Sequence, residues 1–285
     1  MYGKKLVNYY QVSVSFLKPL HIIHILLNIL ISVKCAANNP HVKQAGSNLG
    51  KTAVTVTETI NNVLLPLAAV NYAFNKAKVY FSERFQKELK EKTSSIPPEH
   101  IVEPKASIAG PTLQGLAFSH EEANLKDMYL SLLATSMDNR VAAEVHPAFV
   151  KIIKQLDSEE AQMFKELSES SPICQIKLTE IGGQGWENLA THLLDDIDSE
   201  TELPTENPRA PAMVDNLMRL GLISVDYLTY LVDKEKYDWV DKRPEVIKLR
   251  EQFENDTHKV VIEKGVLERT TLGIQFAKSV GLYND

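Results

Sequence analysis

The sequence predicts a mainly α-helical fold: a helical bundle-like domain followed by a winged-helix-like α+β module. Three observations predict it. Apolar residues recur at steps of three and four along residues 52–92 and again along 113–167, the spacing of one buried helical face. Beyond residue 157, short runs of strand-like alternation are interleaved with helical spacing. Most proline, glycine and capping residues fall between these segments, where helices and strands start and stop. A chain of 285 residues has room for two such domains. The expected boundaries are an extension at 1–45, a helical domain at 46–156 and a winged-helix-like domain at 157–285, with an inserted segment at about 233–255.

The extension is basic and apolar. Residues 12–33 include the dense run Ile22, Ile23, Ile25, Leu26, Leu27, Ile29, Leu30, Ile31 and Val33, interrupted upstream by Lys18 and Pro19. A bilayer span takes about 20 apolar residues, so a membrane-associated segment is one reading. His21, His24, Asn28 and Ser32 line one helical face, which suits instead a packed or disordered extension. A third reading is a cleaved signal segment, with Lys4 and Lys5 as its charged start and Cys35, Ala36 and Ala37 before the cut.

From Thr52 to Lys92 the apolar stripe runs through Ile60, Leu64, Leu67, Val70, Phe74, Ala77, Phe81, Phe85 and Leu89. It predicts one long helix, kinked or started at Pro66 and ended by Ser94, Ser95, Pro97 and Pro98. Pro111 is expected to precede a short helix carrying Leu113, Leu116 and Phe118. Ser119 and Glu122 have the spacing of a capping box for the next helix, which buries Leu125, Met128, Leu132 and Leu133. His146 and Pro147 open a helix with Phe149, Ile152, Ile153 and Leu156 inward, and Asp157 or Ser158 caps the one after it.

In the carboxyl-terminal module Ile173, Ile176 and Leu178 read as a strand, Trp186–Leu194 as an amphipathic helix, and Ala212–Leu220 as a helix stopped by Gly221. Leu222, Ile223 and Val225 open a second strand, which Val260–Ile262 or Val266 and Leu267 return. Thr270–Val280 closes the module as a helix. Tyr237 and Trp239 are the expected anchors of the insertion.

Charge and cysteine usage narrow the function. The net charge is −6, yet the first fifty residues hold five lysines and no acid, so the remainder is more acidic than the whole. Between Glu187 and Asp233 the only basic residues are Arg209 and Arg219, a balance that disfavours phosphate and hence a nucleic-acid partner. Two distant cysteines, Cys35 and Cys174, fit reduced thiols and a cytoplasmic location, with membrane association through the amino-terminal segment left open.

No motif assembles a catalytic, cofactor or metal site. The run AGSNLGKT from Ala45 to Thr52 has phosphate-loop spacing around Lys51, but no apolar strand precedes it. His120-Glu121-Glu122 begins like a zinc-protease helix, yet Asn124 stands where the second histidine belongs. His21 and His24 lack a neighbouring carboxylate or thiol to complete a metal site. Gly182, Gly183 and Gly185 form a turn rather than a dinucleotide fingerprint. Neither cysteine has a local histidine to activate it, and no G-x-S-x-G elbow occurs. The expectation is therefore a protein that is not an enzyme and needs no cofactor.

Ordered motifs then carry a resemblance. INNVLLPLAAVNYAFNKAKVYF (Ile60–Phe81), IPPEHIVEPKASIAGP (Ile96–Pro111), LLATSMD with HPAFVKIIKQLDSEEA (Leu132–Ala161), NLMRLGLI (Asn216–Ile223) and KGVLERTTLGIQFAKS (Lys264–Ser279) resemble the Abi-alpha family. The resemblance covers roughly Gly46 to the end. It implies a role in bacterial abortive infection, a phage-defence response in which the infected cell stops growing or dies. It supplies no catalytic residues; His146 and Pro147 match the family pattern and read as the start of a helix. The implied mode of action is contact with a host or phage protein, at the membrane or away from it, and a second copy of the chain is a further candidate partner. Two other readings stay open: a DNA-binding regulator with a basic surface near Arg219, and an enzyme whose polar residues converge around His146 or His192.

Overall fold

The computed structural model describes residue 56, residues 58–60, 71–196 and 204–282, with side chains described from Asn75 within the first long helix. Residues 12–33, His21, His24, Cys35, Lys51 and Pro66 lie outside the described residues. Among the described residues no helix is long and apolar enough to cross a membrane. Chain contacts divide the molecule into two compact units, one running to Glu121 and including Leu132–Pro147, the other made of Glu122–Ser131 and Ala148–Asp285.

The first unit is helical. Helix α1 (Asn71–Glu83) is followed by α2 (Phe85–Thr93), and the expected long helix breaks between them at Arg84, whose φ is −116°. The break is shallow, because Arg84 N–H still reaches the Tyr80 carbonyl at 3.0 Å and Glu88 N–H that of Arg84 at 3.1 Å. Ala77, Phe81 and Phe85 of the apolar stripe are buried, and Tyr80, Phe81 and Phe85 meet edge to face. Pro98 starts a single 3-10 turn to His100, after which Ile101 pairs with Asp138.

Two expected helix boundaries are corrected. Helix α3 (Ala106–Ser119) begins five residues before Pro111, which sits inside it. The burial of Ile108, Ala109, Leu113 and Leu116 outweighs the hydrogen bond that an interior proline forfeits. Ser119 is the last residue of α3 and not a cap; Glu122 directly precedes α4 (Ala123–Ser136) and its carbonyl accepts from Lys126 N–H at 2.9 Å.

The second unit is mixed α+β. Helix α5 (Ala148–Ile153) leads to α6 (Ser158–Glu166), whose start is a full capping box: Asp157 accepts from Glu160 N–H at 2.8 Å while Glu160 accepts from Asp157 N–H at 2.9 Å. Four antiparallel strands follow, β1 (Ser170–Glu180), β2 (Trp186–Leu193), β3 (Ile223–Asp226) and β4 (His258–Arg269), in the order β2-β1-β4-β3. Helix α7 (Ala210–Arg219) stands between β2 and β3, and α9 (Thr271–Ser279) follows β4. Gly221 takes φ +73° after α7, the left-handed turn that stops the helix. The insertion forms two 3-10 turns, at Lys234–Tyr237 and Val240–Lys242, and α8 (Pro244–Phe253).

The fold is therefore α+β and not mainly α throughout, and the winged-helix arrangement is not confirmed. The decisive difference is Trp186–Leu194, expected as a helix and found as strand β2. Its register against β1 slips between Cys174↔Leu193 and Ile176↔Ala190, so β2 carries an extra residue there. That bulge places Ala190 and Leu193 three apart yet both inward, which imitates helical spacing in the sequence.

Alternation along β1 sends Cys174, Ile176 and Leu178 to one face. Tyr237, Trp239, Val240 and Val246 of the insertion cover that face, together with Val260 of β4, so both expected anchors are core residues. Elsewhere in this unit Phe276 of α9 packs against Phe149 and Phe164, with ring centroids 5.5 and 5.7 Å away. Arg243, 1% exposed, donates to the Leu194 carbonyl at 2.9 Å and to Glu245, tying the insertion to the end of β2.

Candidate functional site

The two most exposed apolar side chains of the second unit, Leu228 and Val232, lie in the segment between β3 and the insertion. Leu228 is 93% exposed, Tyr230 56% and Val232 95%, while Leu231 packs on the core beneath the insertion. Thr229 is exposed as well, so Leu231 is the one residue of this stretch that turns inward, and the stretch belongs to no ladder.

Both ends of the segment are held. At its start Asp226 accepts from Leu228 N–H at 2.7 Å and from the Thr229 hydroxyl at 2.9 Å. Tyr227 adds a second tether, its hydroxyl accepting from His192 N–H at 3.2 Å and lying 2.9 Å from His192 Nδ1. At the far end the buried Tyr237 hydroxyl donates to the Gly265 carbonyl at 2.7 Å and accepts from Leu231 N–H at 3.0 Å. Gly265 is required here, since a Cβ would stand 2.5 Å from the Tyr227 ring and 2.7 Å from the Asp226 carbonyl. Outward apolar groups on a tethered segment lose little conformational entropy on contact, the condition for efficient association.

His192 has a strained backbone. Its φ of +56° makes it the only non-glycine in the left-handed region among the described residues, and it sits in the bulge of β2. Nε2 lies 3.3 Å from Asp215 Oδ1 on α7. With the proton on Nε2, the ring donates to Asp215 and accepts the Tyr227 O–H at Nδ1. Carboxylate, imidazole and phenol in line resemble a base-activated nucleophile. Burial raises the Tyr227 phenol to about 12 despite the lowering hydrogen bond from His192 N–H, and so holds it away from the phenolate. In this arrangement the trio fastens the segment to β2 and α7.

Most residues singled out in the sequence hold structure. His120 is buried, stacks on Tyr80 at 4.9 Å and bonds through Nδ1 to the Ala117 carbonyl; Glu121 pairs with Lys76 at 2.7 Å. His146 is exposed just before α5 and belongs to the first unit, His192 to the second. The three glycines form the turn between β1 and β2. Cys174 is fully buried, and burial pushes its thiol up to about 12, away from the thiolate. Arg219 spends its guanidinium on Asn216 Oδ1 and Gln155 Oε1, and Arg209 on Asp157 and Glu159. Among the described residues no group of three or more histidine, cysteine or acidic side chains is placed to hold a metal ion.

A family model, Abortive infection alpha, matches residues 77–280. The chain belongs to this family. The match spans α1 to α9 and so includes the whole sheet, the insertion and the apolar segment of this abortive infection alpha protein. Membership associates it with abortive infection and assigns no residue a role. No curated protein and no solved structure matches the chain.

Proposed function

We propose that this abortive infection alpha protein acts in phage defence without catalysis, by contact with a host or phage protein through the segment Leu228–Val232. The single observation that carries the reading is the outward exposure of Leu228, Tyr230 and Val232 on a segment tethered at both ends. Exposed apolar groups of this size are costly for solubility and mark interaction surfaces when clustered. Family membership supports the defence role. The location that suits it is the cytoplasm, with residues 12–33 supplying a membrane contact where one is made. Both arginines of the stretch around α7 are engaged with neighbouring side chains, which supports a protein partner over a nucleic acid.

The test is phage plaquing on cells expressing the chain or its Leu228→Asp/Val232→Asp variant. Protection by the parent and loss of protection by an equally abundant, equally stable variant is the expected result. Equal protection by both removes this segment from the mechanism, and equal plaquing with and without the parent, over a broad phage panel, removes the defence role.

A further inference from the structure

Within the second unit a half-open groove of about 620 Å³ runs beside α6 and the end of β2. Its apolar lining is Leu194 and Met213, both buried, with Met163 and Leu167 partly so, beside neutral polar residues that include the buried Ser171. Its rim is acidic, with Glu166 and Asp195 exposed and Asp196 half-buried, and among the described residues no lysine, arginine or histidine lines it. A further rim carboxylate, Glu159, is already paired with Arg209. Of the other three, Asp196 is ion-paired with the buried Arg243. Arg243 is committed to the Leu194 carbonyl and Glu245, and its Nη1 lies 3.7 Å from Asp196 Oδ2, beyond hydrogen-bond reach. Burial raises the carboxyls of Asp195 and Asp196 by more than the nearby Arg243 lowers them.

The volume falls in the range of binding clefts, roughly 300–1,000 Å³. An apolar floor inside an acidic rim selects a ligand with the opposite layout: apolar groups at the centre, cations at the edge. Lysine and arginine have this character within one side chain, laying an aliphatic stem on apolar surface and sending the charged head outward. We propose that the groove docks a basic amphipathic peptide segment of a partner protein, with its apolar side chains on Met163, Leu194 and Met213 and its cationic heads on Glu166 and Asp195. This surface is separate from the Leu228–Val232 segment and stands without that reading.

The experiment is a fluorescence-anisotropy titration of the full chain with a labelled peptide of about 15 residues, leucines and lysines set at helical spacing. A second peptide carries glutamine for every lysine, and a linear triamine serves as competitor. The lysine peptide should bind in a salt-sensitive manner and lose about tenfold in affinity in the Glu166→Gln/Asp195→Asn variant. The glutamine peptide should bind more weakly by a similar factor, and the triamine should fail to displace the lysine peptide at equal concentration. Unchanged affinity in the variant, equal binding of the glutamine peptide, displacement by the triamine or no binding at all would each overturn the proposal. Should the double variant melt below the parent, Glu166→Gln alone, an exposed position, carries the comparison with an expected loss of about threefold.

Discussion

Replacing Gly273 with alanine sets two physical effects against each other at one site. By helix propensity the change is favourable, since alanine gains up to about 1 kcal/mol over glycine in a helix. Packing acts the other way. A Cβ on Gly273 would stand 1.9 Å from the Leu222 carbonyl oxygen and 2.9 Å from its carbon. Neither partner is free to retreat. Leu222 O accepts from Thr270 N–H at 3.0 Å and Leu222 N–H donates to Leu217 O at 3.0 Å, while Thr270 Oγ1 caps α9 by accepting from Gly273 N–H at 2.9 Å. Overpacking a filled site costs about 1–3 kcal/mol, and a backbone contact this short belongs at the upper end or above it. The net expectation is a loss of about 2 kcal/mol or more, equivalent to a melting temperature lower by roughly 4–8 °C for a unit of this size. Thermal unfolding followed by far-ultraviolet circular dichroism measures it directly. A Gly273→Ala chain as stable as the parent, or more so, would refute the close approach of α9 to the start of β3.

Three further outcomes follow from particular side chains. Asp157→Ala removes one half of the capping box of α6 and a partner of Arg209, so urea unfolding should show a loss of about 1–2 kcal/mol, whereas Asp157→Asn, which keeps a cap acceptor, should lose less. The hydrogen bond from Arg140 holds the Asp138 carboxyl below the ordinary carboxylate range despite its burial. A carboxyl depressed in this way contributes stability that is complete above its ordinary value and is lost as pH falls through the lowered one, so Asp138→Asn should flatten the acid limb of melting temperature against pH. Cys174, buried and with its thiol pushed up to about 12, should resist a thiol reagent at neutral pH in a Cys35→Ser chain and react once urea unfolds it; rapid native labelling would contradict its place in the core.

Local signals made much of the second unit legible. Asp157 before α6, Gly221 after α7 and Thr270 before α9 are start and stop residues whose chemistry acts within a few positions, and each stands where the sequence puts it. Tyr237 and Trp239 read as anchors because large aromatics in a polar insertion have few other places to go. Strand β2 was illegible because its bulge, set by pairing with β1, converts a period of two into a spacing of three. Pro111 misled for a related reason, since tertiary burial along α3 carries the helix through a residue that locally stops one. The apolar segment was equally hidden. Leu228, Tyr230 and Val232 alternate as a buried strand would, and only the tethers at Tyr227 and Tyr237, from residues distant in sequence, turn that face outward. Likewise the strain at His192 comes from the bulge and leaves no mark in its own neighbours.

Contact and chemistry as modes of action separate in one paired measurement of phage protection. His192→Asn removes the imidazole, keeps the backbone N–H that holds the Tyr227 hydroxyl, and places at φ +56° a residue that tolerates the left-handed region; Leu228→Asp/Val232→Asp removes the outward apolar surface and leaves the tethers intact. With equal abundance and folding, the account predicts protection retained in the first variant and lost in the second. Protection lost with the imidazole and kept without the apolar surface would contradict it.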